Sequence, residues 1–261
     1  MSFFSVHDLS AGYAGRHIVQ HISFSAQSGQ LIGILGANGS GKTTLLKAIC
    51  GILPHSGTCT LKGAPLEGLP PRKLAQQCSY IPQCSGISID ISALDVVLMG
   101  FNPQLRLLEH PGSAMRSAAE DALRQVGLGA RIHDNYQFLS EGQKQLCILA
   151  RTLVADSPLL LLDEPESALD FRFRYDMLHH IQTWLHTGAR CGIVTLHDPS
   201  LAVNFCDRLI VLDHGTVLGQ LHPGSDATEK MEAALTHIYG DISLLRCQTR
   251  SGQTQLVMLK E

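Results

Sequence analysis

A glycine-rich segment between an aliphatic run and a helix-forming stretch limits what this chain can fold into more than any other feature. Residues 36–44 read GANGSGKTT and follow the aliphatic run at 31–35. They match the pattern G-x-x-x-x-G-K-[ST], with a strand predicted before the loop and a helix, at about 42–51, after it. The glycines allow the backbone to wrap closely around a phosphate, so that its N–H groups point inward. The sequence therefore predicts a site for a nucleoside triphosphate.

The helix that follows the loop adds to this predicted phosphate site. The positive end of its dipole favours a bound anion. We expect Lys42 to reach the β- and γ-phosphates and the Thr43 hydroxyl to ligate Mg²⁺. The predicted nucleotide-binding residues of the loop are Gly36, Asn38, Gly39, Ser40, Gly41, Lys42, Thr43 and Thr44.

Two acids at the end of a second aliphatic strand supply chemistry that a triphosphate site can use. Residues 159–162 are four leucines, and Asp163 and Glu164 follow them. Asp163 is placed to hold Mg²⁺ through water, and Glu164 to polarise a water for in-line attack on the γ-phosphate. The simpler explanation, a strand with acids at its exposed end, is weak beside a phosphate loop.

Composition argues against several other classes of function. The 261 residues are 44% hydrophobic and 16% charged, with a formal net charge of −3. An overall basic field is absent, so we expect no nucleic acid partner. The N-terminus does not resemble a signal peptide, and the longest aliphatic run is far short of the ~20 residues of a membrane span. We expect a water-soluble chain, which leaves association with a membrane protein open.

The eight cysteines and thirteen histidines show no metal-site spacing. Free thiols in a reducing cytosol, most of them among apolar residues, are the expected state. Cys84, beside Gln83, is the one candidate for an oxidation-sensitive thiol. The pair His179-His180 is expected to be a surface feature of a helix.

Alternating helical and strand-like segments predict an α/β fold. The predicted strands before the middle of the chain are 4–9, 17–26, 31–35, 58–61 and 79–82. Helices at 92–100 and 113–127 form a helical middle, and a long helix follows at 140–155. The remaining segments are 159–162, 171–188, 191–196, 201–206 and 208–212. Such alternation predicts a parallel sheet with crossover helices, into which the helical middle is inserted.

The stretch Leu139-Ser140-Glu141-Gly142-Gln143, at the start of the long helix, resembles the LSGGQ signature of the ATP-binding-cassette (ABC) ATPase family. Other family motifs occur in the family's order. Tyr13 matches the aromatic residue that stacks on adenine, and Gln83 matches the glutamine that senses Mg²⁺ and the membrane partner. Residues 167–170 match the D-loop, and His197 matches the switch histidine that contacts the γ-phosphate.

The resemblance covers nearly the whole chain and implies its architecture. We expect an ABC ATPase fold: a RecA-like P-loop core with an N-terminal antiparallel β portion and an inserted helical subdomain. The implied ATP-binding core has two parts, 1–86 with the phosphate loop and 144–222 with the acidic strand and switch histidine. A helical signature subdomain occupies 87–143, and a C-terminal extension occupies 223–261.

The resemblance also implies the activity, which is hydrolysis of MgATP. Two such domains sandwich two ATP molecules head to tail, and a chain with one cassette most simply forms a homodimer. Each site would use one chain's phosphate loop and the other chain's Ser140, Gly142 and Gln143. The implied catalytic residues are Glu164, His197 and Gln83. The implied Mg²⁺ residues are Thr43, Gln83 and Asp163.

Two positions depart from the family pattern. Glu141 stands where the signature usually has glycine, and Leu146 stands where the helix commonly carries arginine. A carboxylate facing the triphosphate would repel it, so we expect Glu141 to turn outward and Gly142 to keep its backbone contact. Neither change removes a catalytic group. A degenerate ATPase acting as a nucleotide-regulated binder is a further hypothesis, which the intact Glu164 opposes.

Softer resemblances point to one group of importers. The stretch DVVLMG at 95–100 and the tail HIYG at 237–240, with strand-like segments at 244–247 and 255–259, resemble ABC subunits for iron–siderophore, haem and cobalamin uptake. The tail could equally be a packing hairpin. The group implies a separate membrane permease facing residues 83 to about 106, and indirectly a substrate-binding protein. It also implies a peripheral location on the cytoplasmic face of the inner membrane.

The implied role is uptake of a metal chelate, an iron–siderophore above all. The alternative is a soluble ABC ATPase of iron–sulfur cluster assembly that acts on a soluble scaffold. The ATP motifs and chain length do not separate these two hypotheses, because they differ in the partner.

Overall fold

The computed structural model describes residues 2–83, 86–250, 252 and 254–261. The strands in this part of the chain are β1 (Phe4–Tyr13), β2 (Arg16–Ala26), β3 (Leu31–Leu35), β4 (His55–Leu61), β5 (Ala64–Pro65), β6 (Cys78–Ile81), β7 (Leu159–Asp163), β8 (Cys191–Thr195), β9 (Arg208–Asp213), β10 (Thr216–Leu221), β11 (Ile242–Gln248) and β12 (Thr254–Lys260). The helices are α1 (Lys42–Ile49), α2 (Pro71–Gln77), α3 (Ala93–Leu98), α4 (Ser113–Gln125), α5 (Glu141–Ala155), α6 (Phe171–His186), α7 (Pro199–Phe205) and α8 (Thr228–Tyr239).

The N-terminal strands form an antiparallel sheet with the order β2-β1-β4-β5. This confirms the expected N-terminal antiparallel portion. β1 continues four residues beyond its predicted end because its pairing with β2 extends to the pair Tyr13↔Arg16. The two residues between these strands, Ala14 and Gly15, both have positive φ, as a two-residue hairpin turn requires.

A six-stranded sheet with the order β10-β9-β3-β8-β7-β6 forms the centre of the molecule. All neighbours are parallel except β10, which is antiparallel to β9. β3, β7 and β8 are buried along their full lengths, as strands covered on both faces must be. Because these three strands are adjacent and parallel, the segments that follow them meet at one edge of the sheet. The predicted parallel sheet is thereby confirmed.

The helical middle packs as a unit through α5, which contacts both α3 and α4. α3 begins at a capping box formed by Ser92 and Asp95, and it ends in a 3₁₀ turn, Met99–Phe101. The thiol of Cys147 in α5 lies 3.5 Å from the carbonyl oxygen of Ala93. The proposed subdomain boundary between 143 and 144 therefore falls within a continuous helix that packs on the helical middle.

The C-terminal part consists of α8 and the hairpin β11–β12. Gly240, with φ +74°, follows α8 and turns the chain into β11. The side chain of Asn204 in α7 donates to the Leu256 carbonyl at 2.8 Å and accepts from the Leu256 N–H at 2.9 Å. The strand-like segments predicted in the tail are strands. The two hydrogen bonds of Asn204 attach this hairpin to α7.

None of the helices in the described ranges combines the length and the apolar character required to cross a lipid bilayer.

Gly100→Ala tests the packing of the helical middle on α5. A Cβ at this position would overlap the carbonyl oxygen of Arg151, which cannot move without displacing α5. We expect the free energy of unfolding, measured by chemical denaturation, to fall by about 1–3 kcal/mol. Gly224→Ala is the control, since a Cβ there meets nothing within 4 Å, and it should change stability by less than about 0.5 kcal/mol. An unchanged stability of Gly100→Ala would contradict this packing.

Candidate functional site

The glycine-rich loop runs from the end of β3 to the start of α1. Gly36 lies so close to β9, the neighbour of β3 in the sheet, that a Cβ at Gly36 would overlap the carbonyl oxygen of Leu212. Gly41, immediately before α1, has φ +104°, a conformation that side-chain-bearing residues rarely adopt. These two glycines explain why the loop can turn tightly and direct its N–H groups to one point.

Lys42 is folded over this loop and is almost fully buried, with 7% of its side chain exposed. Its Nζ donates to the carbonyl oxygens of Gly36 at 2.8 Å and Ala37 at 3.3 Å. The Glu164 Oε1 atom lies 3.9 Å from the same nitrogen. The loop therefore holds a positive charge at the place where the sequence predicts phosphates.

Asp163, at the end of β7, accepts hydrogen bonds from three hydroxyl groups. Its Oδ1 accepts from Thr43 Oγ1 at 3.0 Å and from Thr195 Oγ1 at 2.9 Å, and its Oδ2 accepts from the Tyr80 hydroxyl at 3.0 Å. Burial and the charge of Asp163 both raise the pKa of Tyr80, so this phenol keeps its proton and acts as a donor. The four side chains come from α1, β6, β7 and β8.

A magnesium ion fits this group of oxygen atoms. Mg²⁺ prefers hard oxygen ligands and is commonly held by one or two protein groups together with substrate phosphates. The Thr43 hydroxyl and the Asp163 carboxylate lie together beside the phosphate loop, and both are oxygen donors. The arrangement can therefore hold Mg²⁺ next to a bound polyphosphate.

Glu164 has an unusual backbone conformation, with φ +47°. Its N–H donates to the carbonyl oxygen of Thr195 at 3.1 Å and to Thr195 Oγ1 at 2.9 Å, and these bonds hold it there. Its Oε2 accepts from Gln83 Nε2 at 2.8 Å. A non-glycine residue in this region is uncommon, and such conformations cluster at functional sites.

These segments surround a cleft of about 650 Å³. Its lining residues are Tyr13, Ile18, Asn38, Gly39, Gly41, Lys42, Thr43, Thr44, Gln83, Glu164 and His197. Gly36, Ser40 and Asp163 are not among these lining residues. The Gly36 carbonyl accepts from Lys42 Nζ, Asp163 accepts from Thr43 Oγ1, and Ser40 is buried. The structure thus brings residues from five separate sequence motifs to one cleft.

The signature residues do not line this cleft. Ser140 caps α5, where its Oγ accepts from the Gln143 N–H at 3.3 Å and its N–H donates to Gln143 Oε1 at 3.0 Å. The carboxylate of Glu141 is exposed and pairs with Lys144 Nζ at 2.8 Å on the helix surface. Gly142 lies against the D-loop segment, with Ala168 among its nearest neighbours. Within one chain, the cleft and the signature are separate surfaces.

Sequence analysis did not single out four residues that organise the site. Tyr80 and Thr195 fix Asp163, Gln145 donates to the Gln83 carbonyl at 2.7 Å, and Glu166 accepts from the backbone N–H of His197 at 2.9 Å. A polar residue at the end of an otherwise aliphatic strand was an available signal for Thr195. The others depend on contacts between distant segments, which local patterns do not reveal.

The described cysteines are free, and burial raises the pKa of the thiols of Cys147 and Cys191 to about 12. Cys147 and Cys191 are therefore inert core residues, as the sequence suggested, whereas Cys247 is exposed. Cys84, the proposed oxidation-sensitive thiol, lies outside the described residues. Of the neighbouring histidines 179 and 180, the first is exposed and the second half-buried, as expected for the surface of a helix.

One group of metal-binding residue types lies outside the cleft, although the sequence showed no metal-site spacing. His55, Cys59 and Glu67 place one ligand atom each within 4.8 Å of one another. Glu67 Oε1 already accepts from the Cys59 N–H and contacts the His55 ring. Burial and the nearby Glu67 raise the pKa of the Cys59 thiol to about 12, which opposes the thiolate that a metal needs. We assign this group to the packing of β4 on the following turn.

The comparisons with known proteins agree with this geometry. The ABC transporter family model matches residues 19–167 of the chain. A hemin import ATP-binding protein, HmuV, from Bordetella avium is 33% identical over 97% of this chain and 98% of that protein. An iron chelatin transport ATP-binding protein from Helicobacter pylori is 34% identical over 79% of this chain and 82% of that protein.

A solved structure shows the same fold over the full chain. It is a metal-chelate type ABC transporter in an inward-facing conformation, with a TM-score of 0.83 and 25% sequence identity, covering 100% of this chain and 99% of that chain. Its likeness extends through the inserted helices and the C-terminal hairpin as well as the phosphate-loop core. The chain therefore belongs to the ABC transporter family and is an ATP-binding cassette that hydrolyses ATP.

Proposed function

We propose that this chain is the ATP-hydrolysing subunit of an importer, in which it couples MgATP binding and hydrolysis to uptake of a metal chelate through a separate permease. The observation that carries the ATPase part is the meeting of Lys42, Gln83, Glu164 and His197 on one cleft. The relatives named for hemin import and iron chelatin transport support the import part.

The charged and hydroxyl side chains of the site have proposed roles. The loop N–H groups and Lys42 bind the β- and γ-phosphates, and Thr43 and Asp163 would hold Mg²⁺, which would neutralise charge on these phosphates. Glu164 polarises a water for in-line attack, so that a new P–O bond forms as the bond from the γ-phosphorus to the bridging oxygen breaks. ADP leaves with that oxygen, and the proton of the attacking water passes to the Glu164 carboxylate.

Gln83 and His197 complete the reacting end of the cleft. The 2.8 Å hydrogen bond from Gln83 Nε2 to Glu164 Oε2 links the proposed base to the segment that precedes the helical middle. A movement of that segment would therefore alter the position of the Glu164 carboxylate. His197 lines the same cleft, which supports its proposed contact with the γ-phosphate. Tyr13 also lines the cleft and is 48% exposed, which supports its proposed stacking on adenine.

A second copy of the chain would complete the site. Ser140 is exposed, Gly142 and Gln143 are half-exposed, and all three are separate from the cleft of their own chain. Their exposed position at the start of α5 suits contact with a nucleotide held by another chain, since a helix N-terminus favours phosphate. A homodimer with two ATP molecules at its interface is the arrangement that uses both surfaces.

The surface that would face the permease lies after Gln83. Leu107 and Leu108 are 91% and 89% exposed, and Ile89 in the same region is 53% exposed. Large apolar side chains at such exposure favour a protein partner. Exposed leucines would suit a permease or a soluble scaffold alike, and the relatives named for hemin import and iron chelatin transport favour the permease.

The importer proposal includes a location, an indirect partner and a cargo. The chain would lie peripherally on the cytoplasmic face of the inner membrane, and a substrate-binding protein would act with it only through the permease. An iron–siderophore is the proposed cargo, whereas the Bordetella relative is named for hemin. We also propose that the chain divides into a two-part core, a helical signature subdomain and a C-terminal extension.

Tyr80→Phe tests the proposed Mg²⁺ site. The variant removes one of the three hydroxyl donors to Asp163, and loss of such an outer partner typically weakens a metal site by about tenfold or more. We expect the Mg²⁺ concentration for half-maximal ATPase activity to rise about tenfold, with the maximal rate at saturating Mg²⁺ less affected. Tyr239→Phe, at a tyrosine outside the cleft, is the control. An unchanged Mg²⁺ dependence of Tyr80→Phe would contradict this role of Asp163.

Affinity purification from detergent-solubilised native membranes tests the importer. We expect a tagged chain to recover a polytopic permease in stoichiometric amount, identified by mass spectrometry. A chain with Leu107→Asp and Leu108→Asp should recover much less permease and still bind ATP. Leu218→Asp changes an exposed leucine of β10 and should behave as the parent. Recovery of a soluble scaffold without a permease would instead support iron–sulfur assembly.

A further inference from the structure

We propose that Glu166 is a positioning residue of the ATPase site, whose buried carboxyl group holds the backbone of His197 in place for contact with the γ-phosphate. The inference rests on the proposed role of His197. It assigns a function to a residue that lies between the acidic strand motif and the D-loop and belongs to neither predicted set.

The bond joins two loops that both carry reacting side chains. Glu166 lies just after β7 and Glu164, and His197 lies just after β8. The His197 N–H donates to Glu166 Oε1 at 2.9 Å. In the opposite direction, the Glu164 N–H donates to the backbone and hydroxyl oxygens of Thr195. The two segments are therefore connected in both directions: two hydrogen bonds hold the backbone of Glu164, and one holds that of His197.

The side chain of His197 needs such an anchor because it is exposed at the cleft. Packing does not fix an exposed ring, so the position of its backbone decides where the ring can reach. The next residue, Asp198, caps α7 by accepting from the Ser200 N–H at 2.8 Å. His197 is thus held between a helix cap on one side and the Glu166 bond on the other.

Glu166 has an environment that is costly for a carboxyl group. It is 1% exposed, and within the described residues its Oε2 has no hydrogen-bond partner. Burial raises the pKa of Glu166, and the nearby charge of Glu164 acts in the same direction. A buried polar group without a full set of partners costs free energy, so its presence is best explained by the bond that it does make.

Substitutions at Glu166 can test the hydrogen-bond acceptor independently of the negative charge. The His197 N–H needs one acceptor oxygen at the position of Oε1, and a neutral amide can supply that oxygen. Glu166→Gln keeps the size and the acceptor. Glu166→Met keeps the size and removes the acceptor, and Glu166→Asp withdraws the carboxyl group by one methylene.

The test measures kcat and KM for ATP with the purified chain, in the parent and in these three variants. We expect Glu166→Met and Glu166→Asp to lower kcat about ten- to a hundredfold, because a misplacement of about 1 Å at a reacting group has effects of this size. KM for ATP should stay within about twofold, and Glu166→Gln should retain at least about half of the parent kcat. Thermal melting and binding of a fluorescent ATP analogue establish that each variant is folded.

His197→Ala separates the two proposals. If His197→Ala keeps the parent kcat, the proposed role of His197 is wrong. If His197→Ala loses activity while Glu166→Met keeps it, only the positioning role is wrong. Equal losses in Glu166→Gln and Glu166→Met would also overturn it, since the acceptor would then make no difference. If Glu166→Met does not fold, Glu166→Asp decides, and a parent-like kcat of Glu166→Asp contradicts the inference.

We expect the double variant, Glu166→Met with His197→Ala, to be no slower than His197→Ala alone. If Glu166 acts only through His197, its loss has no further effect once the imidazole is absent. Multiplied losses in the double variant would show that Glu166 acts independently of His197.

Discussion

The buried ammonium group of Lys42 is the charge on which the remainder of the site depends. Carbonyl oxygens of the phosphate loop hold it, and its nearest charged neighbour, Glu164, lies 3.9 Å away. A charge removed from water needs a counter-ion or hydrogen-bond partners, and a polyphosphate in the loop would supply the missing charge. The bound nucleotide therefore also stabilises the loop that binds it, and its negative charge would in turn recruit Mg²⁺ to Thr43 and Asp163.

The parallel sheet converts separate sequence motifs into one reacting surface. β3, β8 and β7 are neighbours, and each is followed directly by a functional segment. The register pairs Asp163 with Thr195 at the ends of β7 and β8, so the loops that follow these strands start side by side. Small changes at Gln83 can reach Glu164 through one hydrogen bond, which gives a physical route between the proposed permease surface and the proposed base.

Local patterns predicted the parts of the fold that local patterns determine. The phosphate loop, the aliphatic strands and the capped helix at Ser140 each carry their own signal, and they lie where expected. α2 was missed because none of its residues is buried, so it lacks an apolar periodicity. Tyr80 and Glu166 were missed because their contacts depend on strand order and register. The placement of Glu141 on the helix surface followed from charge repulsion and agrees with its pairing to Lys144.

Glu164→Gln tests the proposal that each chain contributes half of each of two composite ATP sites. This variant keeps the shape of the side chain but removes the base, so bound ATP should persist. Analytical ultracentrifugation with MgATP should show a dimer that holds two ATP molecules and does not turn over. Adding Ser140→Arg should return the chain to a monomer that still binds ATP. A Glu164→Gln chain that stays monomeric with ATP bound would contradict the composite site, and one that continues to hydrolyse ATP would contradict the role of Glu164 as the base.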